Sequence, residues 1–310
     1  MLRRHRFLDR IPARVVVLAA FAAAVASVTI AAQTPTFRAG VRTVPVYVTV
    51  QDDDGRLVPD LTQDAFRILE DGRPVDIVAF SRDPQPLSVA IMIDASQSVA
   101  SLGINARNLP LRDAILAFAA ALAPGDRASI GSFGMEIAVG ANLTTDRREL
   151  ARVLDEEVWM GGGTPLWQAI VAAIASLANE PGRRVVLAIT DGVDTGGLPG
   201  FRGGQAAVER DASRSDCMIY AIKQHTRYRP DLSADIARVA EDSGGGHLIL
   251  PSNGDPAPAM ARVAEELRHQ YLIGFAPHAS DGGTHRIEVR MTRPGLSARA
   301  RRTYLAEAGR

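Results

Sequence analysis

The sequence predicts an α/β protein: a doubly wound, mostly parallel sheet inserted in a small β-sandwich that the N- and C-terminal flanks build together. Three observations carry that expectation. From residue 87 to residue 270, strand-like and helix-like runs alternate, the pattern of a parallel sheet with helices on both faces. Runs such as Leu87–Ile93 are continuously apolar, as strands buried on both faces must be. The stretches on either side carry strand and turn signals, and each has too few strands to cover an apolar face alone. Two separate small sheets packed on the central domain are the alternative arrangement.

In chain order, residues 1–32 read as an export signal. Arg3, Arg4, Arg6, Arg10 and Arg14 precede Val15–Ala32, an uncharged, alanine-rich run. Cleavage after Ala32 or after Ala26 suits the small-residue preference of such signals. The alternative is an uncleaved anchor, since a run of this length just spans a bilayer. In both cases the rest of the chain leaves the cytoplasm as a secreted or periplasmic protein, touching a membrane only through an uncleaved segment.

Residues 33–85 form the first β-rich flank. Val44–Val50 is rich in β-branched residues, Asp52-Asp53-Asp54-Gly55 and Asp71-Gly72-Arg73-Pro74 signal turns, and Asp60–Phe66 suggests a short helical turn. Phe66–Glu70 and Val75–Phe80 are its further strands. Residues 86–270 form the α/β domain. Its strands are Leu87–Ile93, Ala128–Phe133, Arg184–Thr190, Cys217–Lys223 and His247–Leu250. Its helices are Leu111–Leu122, Asp146–Leu154 (capped by Thr145 or Asp146), Pro165–Leu177, Ala206–Arg214, Leu232–Asp242 and Ala257–Gln270. Residues 271–310 are the second flank, with strands Tyr271–Phe275, Thr284–Met291 and Ala298–Tyr304.

Composition narrows the partners. The apolar fraction of 46% and charged fraction of 23% are those of a folded globular chain. Formal charge is zero overall, but beyond residue 14 it is 30 basic against 34 acidic residues, a net −4. A mildly acidic body gives no footprint for nucleic acid. Cys217 is the only cysteine, so no intrachain disulfide forms, and its apolar surroundings predict an inert buried thiol. Lys223 is the single lysine among the basic residues.

Ligands of an open α/β sheet bind at the carboxyl ends of its strands. Three segments supply polar groups there: Asp94-Ala95-Ser96-Gln97-Ser98, Gly161-Gly162-Gly163-Thr164, and Asp191-Gly192. Asp94, Ser96, Ser98, Thr164 and Asp191 offer only hard oxygen donors, which suit Mg²⁺, Mn²⁺ or Ca²⁺. No Cys or His lies in these segments, which disfavours zinc, copper and iron. Each segment alone has a plainer account. Ser98 can cap a helix, Thr164-Pro165 can be an N-cap followed by proline, and Asp191-Gly192 can be a turn. Asp194 reads as loop structure. The histidines His225, His247, His269, His278 and His285 are scattered without zinc spacing. No Gly-x-Ser-x-Gly elbow, phosphate-binding loop or dinucleotide-binding glycine pattern is present.

Taken together, the Asp-x-Ser-x-Ser run, the Gly-Gly-Thr before a helix and the Thr-Asp-Gly after a strand resemble the metal-ion-dependent adhesion site (MIDAS) of von Willebrand factor A (VWA) domains. The likeness covers roughly residues 87–270. It implies that Ser96, Ser98 and Thr164 approach a metal directly and that Asp94 and Asp191 act in the outer sphere. One position is then left for an Asp or Glu of a protein partner. The flanks, with Leu61–Phe66, Glu70-Asp71-Gly72, Tyr271–Phe275 and Arg299–Tyr304, are similar to bacterial VWFA-related proteins abundant in Acidobacteria. The resemblance implies a non-catalytic, metal-dependent binding module. A structural envelope component with a stabilising metal is the second reading, and a metal-dependent hydrolase the third. The last lacks a base, since neither His nor Glu belongs to the three segments.

Overall fold

Continuously apolar runs cannot face water, and in the computed structural model they sit at the centre of a six-stranded sheet. The structure describes residues 43–308 apart from 98, 100–108, 159–160, 225–233 and 251–254. Residues 1–32, expected to be an export signal, as well as Ser98 and His225 lie outside the described residues.

The first flank contributes β1 (Val44–Asp52), a 3-10 turn (Gln63–Ala65), β2 (Phe66–Glu70), β3 (Arg73–Val75) and β4 (Ile77–Ser81). The α/β region follows with β5 (Leu87–Asp94), α1 (Leu109–Ala121), β6 (Arg127–Phe133), β7 (Ile137–Ala138), α2 (Arg147–Glu156) and α3 (Leu166–Ser176). It continues with β8 (Arg183–Thr190), α4 (Gly204–Ser215), β9 (Cys217–Gln224), α5 (Ala234–Asp242), β10 (His247–Leu250) and α6 (Ala257–Arg268). The second flank is β11 (Tyr271–Phe275), β12 (Thr284–Met291), β13 (Leu296–Arg299) and β14 (Thr303–Leu305).

The large sheet has the order β10-β9-β8-β5-β6-β7, all parallel except the β6–β7 pair. Every residue of β5 is buried, the consequence of helices on both faces. On one face, Val89, Ile91 and Ile93 pack with Ile115 and Phe118 of α1, Leu150 of α2 and Val263 of α6. On the other, Ala90 and Met92 meet Ala169 and Ile170 of α3, Val208 of α4 and Ile236 of α5. Asp146 opens α2 by accepting the Arg148 N–H at 2.8 Å, which decides between the two cap candidates. The two-residue β7 was not expected, being too short to show a period.

The flanks interleave. One sheet has the order β13-β1-β11-β4 and the other β14-β12-β2-β3, so each draws strands from both ends of the chain. Val44 stands opposite Phe275, and Phe66 opposite Met291. Val46, Val48, Phe66, Ile68, Ile273, Phe275 and Tyr304 share one core between the sheets, a β-sandwich.

Two expected strands are each two. Val75–Phe80 breaks at Asp76, where β3 leaves one sheet and β4 joins the other. Ala298–Tyr304 breaks in the same way between β13 and β14. The second corner is held by Arg301, which donates to Pro45 O at 2.6 Å and pairs with Asp216. At this second corner the buried Arg301 thus marks the place where the chain changes sheet.

The sandwich is anchored at the amino ends of the parallel strands. Arg183, which opens β8, is 3% exposed and donates to Gln85 O, Leu267 O and the Gln270 side chain. Gln270 in turn donates to Thr49 Oγ1 of β1 at 3.2 Å. Glu266 of α6 accepts from Arg262 at 3.1 Å and Tyr220 at 3.3 Å, and pairs with Arg299 of β13. Cys217 is buried without a partner cysteine, and burial pushes its thiol up to about 12, so it is inert.

Candidate metal centre

The strand order reverses at β5. The chain leaves it for β6 on one side and returns to β8 on the other, so the carboxyl ends of β5 and β8 form the switch point where open α/β sheets place their ligand crevice. Asp94 is the last residue of β5, and Asp191 follows the last residue of β8. Both are buried, at 0% and 2% exposure.

Hydrogen bonds lace the surrounding loops together. Ala95 O accepts from Gly161 N at 2.8 Å, and the Gln97 N–H reaches Gly162 O at 3.3 Å, joining the Asp94 loop to the glycine run. Met135 N donates to Gly161 O at 2.9 Å, adding the loop after β6. The Thr164 N–H donates to Thr195 Oγ1 at 2.7 Å, and Thr195 N to Thr164 O at 3.0 Å, joining the glycine run to the loop after β8. Gly162 adopts φ +85°, and a Cβ there would lie 2.6 Å from Met135 N, so only glycine lets these loops approach.

Four of the five expected residues are described, and all four are buried in this cluster: Asp94, Ser96, Thr164 and Asp191. The fifth, Ser98, lies outside the described residues. Asp94 Oδ1 accepts the Ser96 N–H at 3.0 Å, and the Ser96 hydroxyl also bonds to Asp94. A hydroxyl that gives its proton to a carboxylate turns its lone pairs the other way, as a cation ligand must. Asp94 Oδ2 accepts from Thr190 Oγ1 at 2.6 Å. Both Asp94 oxygens are therefore engaged by protein donors, which suits an orienting role better than direct ligation. Asp191 Oδ1 accepts the Val193 N–H at 3.0 Å.

The plainer account of Thr164 does not hold. The N-cap position of α3 is Pro165, and the Trp167 N–H is met by Asp194 Oδ1 at 3.3 Å. Asp194 also accepts the Gly196 N–H at 3.1 Å, so it is the loop-building residue expected from sequence. Thr190 and Thr195 were not singled out, although they orient Asp94 and Thr164. The Thr-Asp-Gly-Val-Asp-Thr run carries both, but its hydroxyl periodicity is that of an ordinary loop.

Electrostatics identify what the cluster lacks. Burial pushes the Asp94 carboxyl up to about 6 against the hydrogen bonds from Ser96 and Thr190, and the charge of Asp191 adds to the rise. Among the described residues neither carboxylate has an ion-pair partner. Two buried carboxylates with adjacent hydroxyls, all hard oxygen donors, fit a divalent cation such as Mg²⁺, Mn²⁺ or Ca²⁺. No group of three or more His, Cys, Asp or Glu side chains that could hold a metal occurs among the described residues, so hydroxyls are needed to complete a site.

A mostly parallel sheet with buried carboxylates and hydroxyls at its switch point defines the class: an open α/β domain. Residues 89–193 match the family model of the von Willebrand factor type A domain. That stretch of the chain is therefore a VWA-type domain. Among solved structures, an aerotolerance-related membrane protein from Bacteroides fragilis is 16% identical, with a TM-score of 0.45 over 59% of this chain and 98% of its own. A von Willebrand factor type A protein from Catenulispora acidiphila is 12% identical, with a TM-score of 0.47 over 87% of this chain and 76% of its own. Proximal thread matrix protein 1 of the mussel byssus, with a zinc-occupied MIDAS motif, is 17% identical, with a TM-score of 0.46 over 62% and 48%. No curated protein matches the sequence.

Proposed function

We propose that this chain is an exported binding protein whose VWA domain holds a divalent cation and captures an acidic side chain of a protein partner. The observation that carries the reading is the pair of buried carboxylates without a bonded cation among the described residues, Asp94 and Asp191, together with the buried Ser96 and Thr164 at the sheet's switch point. Ser96, Ser98 and Thr164 are the direct ligands, and Asp94 and Asp191 act from the outer sphere. The cation, Mg²⁺ or its close relatives Mn²⁺ and Ca²⁺, supplies an electrophilic seat for the partner's Asp or Glu.

One carboxylate contact is too small for selectivity, so the loops around it contribute. Met135 is 77% exposed in the loop bonded to Gly161, an apolar contact placed beside the acidic crevice. Residues 1–32 act as the export signal, residues 86–270 as the binding domain, and residues 33–85 and 271–310 as the two halves of its sandwich base. Export leaves the protein secreted or periplasmic, anchored only if residues 1–32 are retained. Among the described residues no helix is long and apolar enough to cross a membrane.

The test is affinity capture from native envelope extract in Mg²⁺ and in chelator, using the parent protein and Asp94→Ala. A partner held in Mg²⁺ and lost with EDTA and in the variant supports the reading. Capture indifferent to chelator, or purified protein that takes up none of the three cations, overturns it. Met135→Ser is expected to weaken capture while leaving the melting temperature unchanged. A large metal-dependent melting shift with no metal-dependent partner marks a purely structural cation instead.

A further inference from the structure

The only lysine in a chain otherwise supplied with arginine stands beside the acidic crevice. Lys223 lies on β9 opposite Thr190 of β8, the residue that bonds to Asp94 and precedes Asp191. It is 6% exposed. Its stem passes over the turn that follows Asp191: a Cβ at Gly192 would come within 3.5 Å of Lys223 Cδ and Cε. Gly192 itself adopts φ +79°, a conformation that favours glycine at this turn. The Lys223 ammonium forms no hydrogen bond or ion pair with the described residues; the charge of Asp191 acts on it, and Lys223 in turn disfavours protonation of the neighbouring His247.

An ammonium taken out of water without a bonded partner is costly unless a nearby anion offsets it. Two buried carboxylates without a cation carry the matching cost. Set beside Asp191, the Lys223 ammonium offsets part of that cost through space. A guanidinium forks onto carboxylates in fixed geometry, whereas an ammonium acts as a compact point charge that leaves the carboxylate oxygens open. We propose that Lys223 is a built-in counter-charge that partly neutralises the acidic crevice when no metal is bound and opposes entry of the divalent cation. Lys223 thereby sets the metal affinity of the centre. This inference rests on the metal-binding reading of that centre.

The test is calorimetric titration of Mg²⁺ into the parent protein, Lys223→Met, Lys223→Gln and Lys223→Arg at fixed ionic strength, with thermal melts of the same samples in EDTA. Loss of one positive charge about 8 Å from a divalent ion is worth roughly tenfold in affinity at a solvent-screened effective dielectric of about 60. Both neutral variants are expected to bind Mg²⁺ about tenfold more tightly than the parent, and the arginine variant to stay within about twofold of it. Metal-free Lys223→Met melts below the parent and gains more from Mg²⁺. Mg²⁺ that binds the parent and the neutral variants equally, or the variants more weakly, overturns the role of Lys223 and leaves the metal centre standing. If all four proteins take up no Mg²⁺, Mn²⁺ or Ca²⁺, the metal reading falls and this inference with it. Should Lys223→Met not fold, Lys223→Gln carries the same comparison.

Discussion

Two ends of the same parallel strands bury carboxylates in opposite ways. At the amino end, Glu266 is 4% exposed and is met by Arg262, Arg299, Tyr220 and Gln51. Here the protein supplies the cations, and the result is a joint between helix α6 and the sandwich. At the carboxyl end, Asp94 and Asp191 are just as buried, yet their bonded partners are hydroxyls and backbone N–H groups. Among the described residues no arginine bonds to either of them. The first pairing is architecture, and the second is the seat we propose for an outside cation.

The comparison can be broken by substitution. Glu266→Ala leaves Arg299 and Arg262 facing each other without their anion. It is expected to destabilise the fold by about 3–5 kcal/mol, read by denaturant unfolding. Asp94→Asn and Asp191→Asn are expected to do the reverse: no loss of stability in EDTA, but roughly 10–100-fold weaker Mg²⁺ binding by calorimetry. Equal destabilisation by all three variants would erase the distinction. Glu70 is intermediate, 3% exposed and held by the His278 N–H at 2.7 Å, the Ala279 N–H at 3.4 Å and the Tyr304 hydroxyl. Glu70→Gln keeps an acceptor and is expected to cost about 1–2 kcal/mol in the same unfolding assay.

The smallest effect belongs to the surface. His285 bridges Asp71 at 2.7 Å and Asp281 at 2.9 Å, which raises its pKa and lowers both of theirs. The raised histidine contributes stability below its unfolded pKa, near 6.5, that disappears as pH climbs through the higher folded value. The lowered aspartates contribute above their unfolded pKa, near 3.9, and lose it as pH falls through the folded values. The clasp is therefore strongest between about pH 4 and 6.5. His285→Gln should flatten the melting-temperature profile across that window and change little at pH 9.

Much of this was legible in residue order because the large sheet advertises itself. Leu87–Asp94 is apolar without a break, and its end, Asp94, is where the search for a site begins. Strand starts and ends in the α/β region were read to within a residue or two for the same reason. The sandwich was harder. Its corners at Asp76 and Ala300–Arg302 interrupt runs that still look like strands, because a sheet switch changes hydrogen-bond partners without changing the apolar alternation. Lys223 was read as a strand residue and Thr190 as a strand end. Nothing local says that adjacent strands bring them to the crevice, since their proximity comes from the β8–β9 register.

The interleaving of the flanks has a consequence during synthesis. Val44 pairs with Phe275 and Phe66 with Met291, so a ribosome must release almost the whole polypeptide before either sandwich sheet can assemble. The intervening α/β domain, built from nearer neighbours, is able to form first and bring the waiting ends together, which reduces the entropy of closing so long a loop. Interrupted translation would then yield an acidic crevice on a domain without its base, a half-product that proteases can recognise by its unpaired strands.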